Sequence, residues 1–184
     1  MLAGCGVQDV IVGHSERRDG YGDHDKVVAE KVSRVLDAGL RVIFCCGESL
    51  QDRQSDVHFD KVLRQMESAI LHLPAEVMDR VVVAYEPIWA IGTGLTATEE
   101  QAQEMHAAIR GWLREAFDDA TAKSIPLLYG GSCKPANADA LFACEDVDGG
   151  LIGGAALDPE SFMALVEAAG RVSALRMQAG AEPS

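Results

Sequence analysis

The chain has 184 residues, of which 48% are hydrophobic and 24% charged, a composition typical of a folded domain with a sizeable core rather than of a disordered chain. Its formal net charge of −13 argues against nucleic acid as a main partner, because neutralising phosphates requires clustered Lys and Arg. An anionic ligand would therefore have to find a local positive potential, such as that of backbone amides.

The sequence also predicts a protein outside the membrane and in a reducing compartment. No apolar run approaches the roughly 18 residues of a transmembrane span, and the N-terminus has no basic segment of a signal peptide. The cysteines form an odd set without metal-ligand spacing, which predicts reduced thiols in a cytoplasmic protein and no metal site. They are Cys5, Cys45, Cys46, Cys133 and Cys144.

Strand-like and helix-like segments alternate along the chain. Short apolar runs predict strands at 9–13, 41–46, 81–85, 125–129 and 148–152. Apolar residues at helical spacing predict helices at about 24–37, 56–73, 99–120 and 135–143, and Asp158-Pro159 predicts the start of a last one. The strands are continuously apolar, which is typical of a parallel sheet covered on both faces. We expect an α/β fold of five βα units in one domain, 1–170, followed by a frayed tail, 171–184.

The segment 81–98 combines a strand, a carboxylate and a glycine-hinged loop. Glu86 follows the apolar strand, Pro87 fixes the backbone after it, and an apolar loop leads to Gly92 and Gly94. Thr98 begins a capping-box pattern and therefore a helix. A lid that closes over a base has this construction, because excluding water strengthens the base. An ordinary surface loop after a strand explains this segment, taken alone, about equally well.

Other polar or glycine-rich clusters also follow strands, and in a parallel sheet these positions share one edge, where such folds bind ligands. His14 would lie at the start of a helical turn, which disfavours the charged imidazolium. The clusters Gly130-Gly131-Ser132 and Gly153-Gly154 would expose amides at helix starts, where they could hold an anion. A lone His is more often structural, and each glycine pair alone could be a tight turn.

One rival motif occurs in the lid segment. Residues 92–97 fit G-x-G-x-x-A, the dinucleotide-binding fingerprint. In that motif the first glycine directly follows the strand, whereas residues 86–91 intervene here. We therefore disfavour a nucleotide site.

Taken together, these motifs resemble those of the triosephosphate isomerase family. The matching segments are VGHSERR at 12–18, AYEPIWAIGTG at 84–94, YGGS at 129–132 and GGA at 153–155. They occur in the family's order, each after the expected strand, and they cover nearly the whole chain. The resemblance implies a (β/α)8 barrel of the TIM type, present here as five βα units with parallel strands.

The resemblance also implies a function and a set of roles. The reaction would be the interconversion of dihydroxyacetone phosphate and glyceraldehyde 3-phosphate, a step of glycolysis and gluconeogenesis, without cofactor or metal. By similarity, Glu86 is the catalytic base, His14 is a neutral electrophile and Glu16 is a second acidic residue of the site. Backbone amides of Gly92, Ser132, Gly153 and Gly154 would bind the substrate's phosphate. The lid would comprise Pro87, Ile88, Trp89, Ala90, Ile91, Gly92 and Thr93.

The sequence departs from the family in its length. The family has eight units and about 250 residues; this chain resembles units four to eight, without the Asn and Lys of the first unit and without most of the surface through which family members form homodimers. The lysines present all fall in predicted helices or helix starts: Lys26, Lys31, Lys61, Lys123 and Lys134. We therefore expect the family activity but little turnover by this chain alone. The alternatives are a non-catalytic or split-barrel component that needs a partner, and an upstream start of the reading frame.

Overall fold

The computed structural model describes residues 1–179; residues 180–184, in the predicted tail, lie outside the described part. Five parallel strands form one open sheet in the order of the sequence, which confirms the predicted α/β class. They are β1 (Asp9–Val12), β2 (Arg41–Glu48), β3 (Val81–Pro87), β4 (Leu127–Tyr129) and β5 (Gly149–Gly150).

Helices connect the strands and cover the sheet. The α-helices are α1 (Ser15–Tyr21), α2 (Asp25–Asp37), α3 (Leu50–Gln54), α4 (His58–Ile70), α5 (Glu99–Ala116), α6 (Asp119–Ser124), α7 (Ala138–Ala143) and α8 (Pro159–Ala179). Short 3-10 turns occupy Ala3–Cys5, Ala75–Arg80, Ile88–Ala90 and Gly154–Leu157. Within residues 1–179, no helix combines the length and the hydrophobicity that crossing a membrane requires.

Several boundaries differ from the predicted ones, and caps explain two of the differences. The predicted helix 99–120 is two helices, because Asp118 accepts a hydrogen bond from the Thr121 N–H and begins α6. Ser49 and Asp52 form a capping box that begins α3, which the sequence analysis did not predict. Strands β2 and β3 are longer than predicted, so that Glu86 lies within β3. Strand β5 is shorter than predicted, and α8 continues past residue 170, where the sequence analysis placed the domain boundary.

The core lies between the sheet and the helices. The apolar faces of α2, α4 and α5 are buried as predicted, with Val28, Met66 and Ile109 fully enclosed. Helices α2 and α4 pack on β2, and α5 packs on β4. The residues of β2 and β3 are almost all buried. At roughly 25 cal/mol per Å² of buried apolar surface, such side chains supply the main driving force for folding.

Both edges of the sheet carry exposed apolar surface. Among the described strands, β1 pairs only with β2 and β5 only with β4. Ile11 of β1 is 48% exposed, and a groove of about 470 Å³ lined by Val10 and Val27 runs along this edge. Near the other end of the chain, α8 exposes Phe162 and Met163. Unpaired strand edges of this kind favour association with another chain.

A glycine in β2 sets the spacing between β2 and Glu86. Gly47 lies opposite Glu86, and a Cβ at Gly47 would lie 1.9 Å from the Glu86 carbonyl oxygen. Gly47 has little room to move, because its N–H donates to Gln65 Oε1 and its carbonyl accepts from Gln65 Nε2, both at 2.9 Å. Only a residue without a side chain fits here.

We predict that Gly47→Ala lowers the free energy of unfolding by about 1–3 kcal/mol or more, because the added methyl group forces β2 and β3 apart. The control is Gly111→Ala in α5, where a Cβ meets nothing within 4 Å. This change should stabilise the chain by about 0.5–1 kcal/mol, because it reduces the entropy of the unfolded state. Urea unfolding measures both variants, and a Gly47→Ala chain as stable as the unchanged one would contradict the prediction.

Candidate active site

The strand ends bring His14 and Glu86 into direct contact. His14 follows β1 and is the N-terminal cap residue of α1, while Glu86 lies near the end of β3. The His14 Nε2 atom lies 3.0 Å from Glu86 Oε1. The structure thus places the predicted base beside the predicted electrophile. Nothing in the sequence predicted that the two side chains touch.

The Glu86 carboxylate is buried, with 2% of the residue exposed. The Ser15 N–H donates to Oε2 at 3.1 Å, and the Ser15 hydroxyl lies 3.3 Å from Oε1. Burial raises the pKa of Glu86 above its ordinary value of 4.5, against the opposing effects of His14, Ser15 and Arg18. A raised pKa makes the carboxylate a stronger base. It also makes folding stability depend on pH. The protonated Glu86 carboxyl makes a contribution to stability that is fully present below pH 4.5 and is lost as the pH rises through the raised pKa of the folded chain.

Arg18 fixes the loop that carries His14. Its Nε atom donates to the Gly13 carbonyl at 2.7 Å, and its Nη2 atom donates to the Cys45 carbonyl of β2 at 3.2 Å. Its Nη1 atom forms an ion pair with Asp25 at 2.7 Å. The guanidinium therefore ties the start of α1 to the neighbouring strand. Arg18 belongs to the VGHSERR motif, yet the motif alone gave it no role.

A cavity of about 780 Å³ opens at this edge of the sheet. His14 and Glu16 line one part of it, and Ile91 and Gly92 of the predicted lid line another. Residues 130–135 and 151–155 complete much of the wall. Glu86 does not line the cavity, because His14 and Ser15 cover its carboxylate. A ligand that reacts with Glu86 must therefore displace the contact between His14 and Glu86.

The four predicted phosphate-binding residues, Gly92, Ser132, Gly153 and Gly154, all line this one cavity. Their backbone N–H groups have no protein acceptor within hydrogen-bonding distance in the described part of the chain. Gly153 and Gly154 begin a 3-10 turn. Ser132 lies in a loop rather than at the helix start that the sequence predicted, since α7 begins only at Ala138. Unpaired amides of residues that line one cavity suit an anion.

Glu16 lies at the rim of this cavity and is exposed. No lysine or arginine of residues 1–179 lies within 4.0 Å of its carboxylate. The lysine that the family resemblance pairs with this position has no counterpart here.

The start of the predicted lid, residues 87–93, is anchored to a second buried carboxylate. Pro87 ends β3, and Ile88, Trp89 and Ala90 form a 3-10 turn. The Trp89 indole donates to Glu48 Oε1 at 2.8 Å, and the Tyr85 hydroxyl donates to the same atom at 3.0 Å. Burial raises the pKa of Glu48, while the Trp89 and Tyr85 hydrogen bonds lower it.

The end of the lid is held by its own backbone and side chains. The Thr93 hydroxyl donates to the Trp89 carbonyl at 2.8 Å and accepts from the Leu95 N–H. Gly92 adopts φ of +68°, which favours glycine. Ile91 separates the two parts and faces the cavity.

Sequence reasoning missed Arg53, which completes this anchor. Its Nη1 atom lies 3.3 Å from Glu48 Oε1, and its guanidinium carbon lies 5.6 Å from the centre of the Trp89 ring. Arg53 therefore neutralises the buried carboxylate and packs against the lid. The capping box at Ser49 was the available signal, because it predicts α3 and so places Arg53 beside Glu48.

We predict that Trp89→Phe loosens the lid, because it deletes the donor to Glu48 and leaves the ring's packing largely in place. A hydrogen bond to a charged acceptor contributes about 1.5–3 kcal/mol, so that protection of the Ile91 amide, which donates to the Ile88 carbonyl, should fall about 10- to 100-fold. Hydrogen exchange measured by NMR tests this. The matched control is Trp112→Phe in α5, outside the lid; equal effects of the two variants would contradict the anchor.

The chain is similar in sequence to proteins of one known family. Residues 1–169 match the family model described as triosephosphate isomerase. A protein named triosephosphate isomerase from Cytophaga hutchinsonii is 52% identical over 89% of this chain and 65% of its own length. One from Flavobacterium johnsoniae is 51% identical over 91% of this chain and 67% of its own, and one from Alkalilimnicola ehrlichii is 52% identical over 92% and 67%. The chain thus spans about two thirds of the length of these relatives, and it belongs to the triosephosphate isomerase family.

Proposed function

We propose that this chain carries the proton-transfer site of a triosephosphate isomerase, which interconverts dihydroxyacetone phosphate and D-glyceraldehyde 3-phosphate through an enediolate. The observation that carries the proposal is the 3.0 Å contact between His14 Nε2 and Glu86 Oε1 beside a cavity lined by the four unpaired amides. A base, a hydrogen-bond donor and an anion site are the groups that this isomerisation requires.

The proposed roles follow from the contacts. The substrate enters between His14 and Glu86 and replaces their mutual contact. Glu86 removes a proton from the hydroxyl-bearing carbon beside the carbonyl and returns it to the former carbonyl carbon, while the hydroxyl proton passes to the former carbonyl oxygen. His14 donates a hydrogen bond to the oxygen on which negative charge develops. The amides of Gly92, Ser132, Gly153 and Gly154 bind the phosphate, and Glu16 lies at the rim as the second acidic group.

The lid has a role in the same scheme. Residues 87–93 lie between the reacting pair and the phosphate site along the chain, and Gly92 belongs to both the lid and the anion site. Closing this loop over the substrate excludes water, which strengthens Glu86 as a base and protects the enediolate. The resemblance further suggests a cytoplasmic homodimer, and the five free cysteines agree with a reducing compartment.

We predict that the purified chain has a measurable isomerase activity that depends on Glu86. A coupled assay should show a loss of about 100- to 10,000-fold for Glu86→Gln, because the amide cannot accept the proton. The control is Glu30→Gln, an exposed residue of α2 outside the site. A Glu86→Gln chain with undiminished turnover would contradict the proposed base.

The same assay tests the importance of the family lysine that is absent beside Glu16. Losing one preorganised electrostatic group typically costs about 100- to 1,000-fold in turnover. We therefore expect the chain to be slower by this factor than the Cytophaga hutchinsonii relative. Equal turnover would show that neither the lysine nor the further residues of that relative are needed.

A second candidate function is that of a component completed by a partner. The open edges at β1 and β5, with Ile11 and Met163 exposed, favour this reading. The partner would supply βα units that pair with both edges and would raise activity above that of the chain alone.

Sedimentation tests this second candidate. We expect the chain to associate with a polypeptide matching the part of the Cytophaga hutchinsonii relative that this chain does not cover, and to gain turnover on mixing. A folded monomer that does not bind this polypeptide would contradict the second candidate function. The Glu86→Gln chain serves as the control, because it should associate equally well and gain nothing.

A further inference from the structure

We infer that Lys134 attracts the substrate's phosphate to the amide site and favours ligands that carry a doubly charged phosphate. This inference deepens the proposed function and rests on it. Lys134 would act before the phosphate reaches its backbone donors, as a guide and a determinant of charge specificity rather than as a catalytic residue.

Lys134 is distinguished by its position. It lines the cavity of about 780 Å³ together with Ser132, Gly153 and Gly154, whose amides form the proposed phosphate site. Among the described residues, no other Lys or Arg lines this cavity, and its other formally charged lining residues are Glu16 and Asp158. Lys134 therefore supplies the cationic side chain in a site whose remaining charges repel an anion.

The ammonium group of Lys134 is uncommitted, whereas the nearby carboxylate of Asp158 is engaged. Within residues 1–179, no carboxylate lies within 4.0 Å of the Lys134 ammonium, while Lys31 and Lys123 are both paired. Asp158 accepts a hydrogen bond from the Ser161 N–H at 2.9 Å and so begins α8. An incoming phosphate thus meets a cation that no carboxylate of residues 1–179 pairs with.

The backbone of Lys134 is fixed relative to the phosphate site. Its N–H donates to Asn137 Oδ1 at 2.7 Å, and Asn137 Nδ2 donates to the Ser132 carbonyl at 3.1 Å. The Lys134 carbonyl accepts from the N–H groups of Asn137 and Ala138. Asn137 thus ties the lysine to the residue whose amide is a proposed phosphate donor. The sequence pattern predicts a helix start at Lys134, but α7 begins only at Ala138, and this difference leaves the lysine in the loop.

The overall charge of the chain explains why one lysine matters. With a net charge of −13, the molecule repels a dianion at long range, and uncharged amides act only at short range. An exposed cation that lines the cavity raises the local anion concentration, an effect that salt screens over about 10 Å at 0.1 M ionic strength. The contribution of Lys134 should therefore be large at low salt and small at high salt.

The test is a calorimetric titration with sn-glycerol 3-phosphate, which binds as a phosphate ester but has no carbonyl to isomerise. Low and high ionic strength are compared for the unchanged chain, for Lys134→Gln and for Lys26→Gln. Lys26 is the matched control, because it is an exposed lysine of α2 that neither lines the cavity nor pairs with a carboxylate among the described residues. Circular dichroism confirms that the variants fold alike.

We expect Lys134→Gln to raise the Kd about 3- to 10-fold at low salt, with a difference of less than about 2-fold at high salt, and Lys26→Gln to change it little at either. Equal behaviour of the two variants would overturn the inference and leave the proposed site intact. If the unchanged chain binds no sn-glycerol 3-phosphate at either salt concentration, the phosphate site itself fails, and the inference fails with it.

Discussion

The buried carboxylate of Glu86 is the constraint around which this edge of the sheet is built. Three neighbouring strands approach Glu86 closely. A Cβ at Gly47 of β2 would lie 1.9 Å from the Glu86 backbone carbonyl oxygen, and a Cβ at Gly130, directly after β4, would lie 3.0 Å from the Glu86 Cγ atom. From the side of β1, His14 and Ser15 reach its two oxygens. The spacing of four consecutive strand ends therefore fixes the position of one ionisable group.

Two buried carboxylates at the ends of adjacent strands have different partners and so can have different roles. Glu48 of β2 accepts hydrogen bonds from Trp89 and Tyr85 and faces Arg53, all anchored in packed elements. Removing these partners would leave a buried charge without compensation, which is costly. Glu48 is therefore suited to hold the predicted lid in a fixed position. Glu86 instead contacts His14, which is partly exposed beside the cavity. A ligand can replace this contact without unfolding the site, so Glu86 suits chemistry.

The parts of the site that follow from strand order could be predicted from the sequence, and the parts that depend on caps and rotamers could not. Parallel strands place their carboxyl ends at one edge of the sheet. The polar and glycine-rich clusters that follow β1, β3, β4 and β5 therefore lie at the same edge. The position of Arg53 depends on a capping box that starts a five-residue helix.

The position of Lys134 and the contact between His14 and Glu86 likewise could not be predicted from the sequence. The position of Lys134 depends on where α7 begins, and Asn137, which takes part in a side-chain bridge to Ser132, precedes that start. The contact between His14 and Glu86 depends on side-chain torsion angles, which periodicity does not specify.

The acidity of the chain and the use of amides at the phosphate site are connected through Glu86. A cation packed against a carboxylate lowers its pKa and weakens it as a base. Burial has the largest effect on the pKa of Glu86 and raises it, while His14, Ser15 and Arg18 lower it. Amides bind a phosphate by direction and proximity without adding a full positive charge to the site. In the proposed scheme, long-range attraction comes from the exposed Lys134, whose effect on the base is screened by solvent while the approaching anion still encounters it. This division would let an acidic protein bind a dianion and keep a strong buried base.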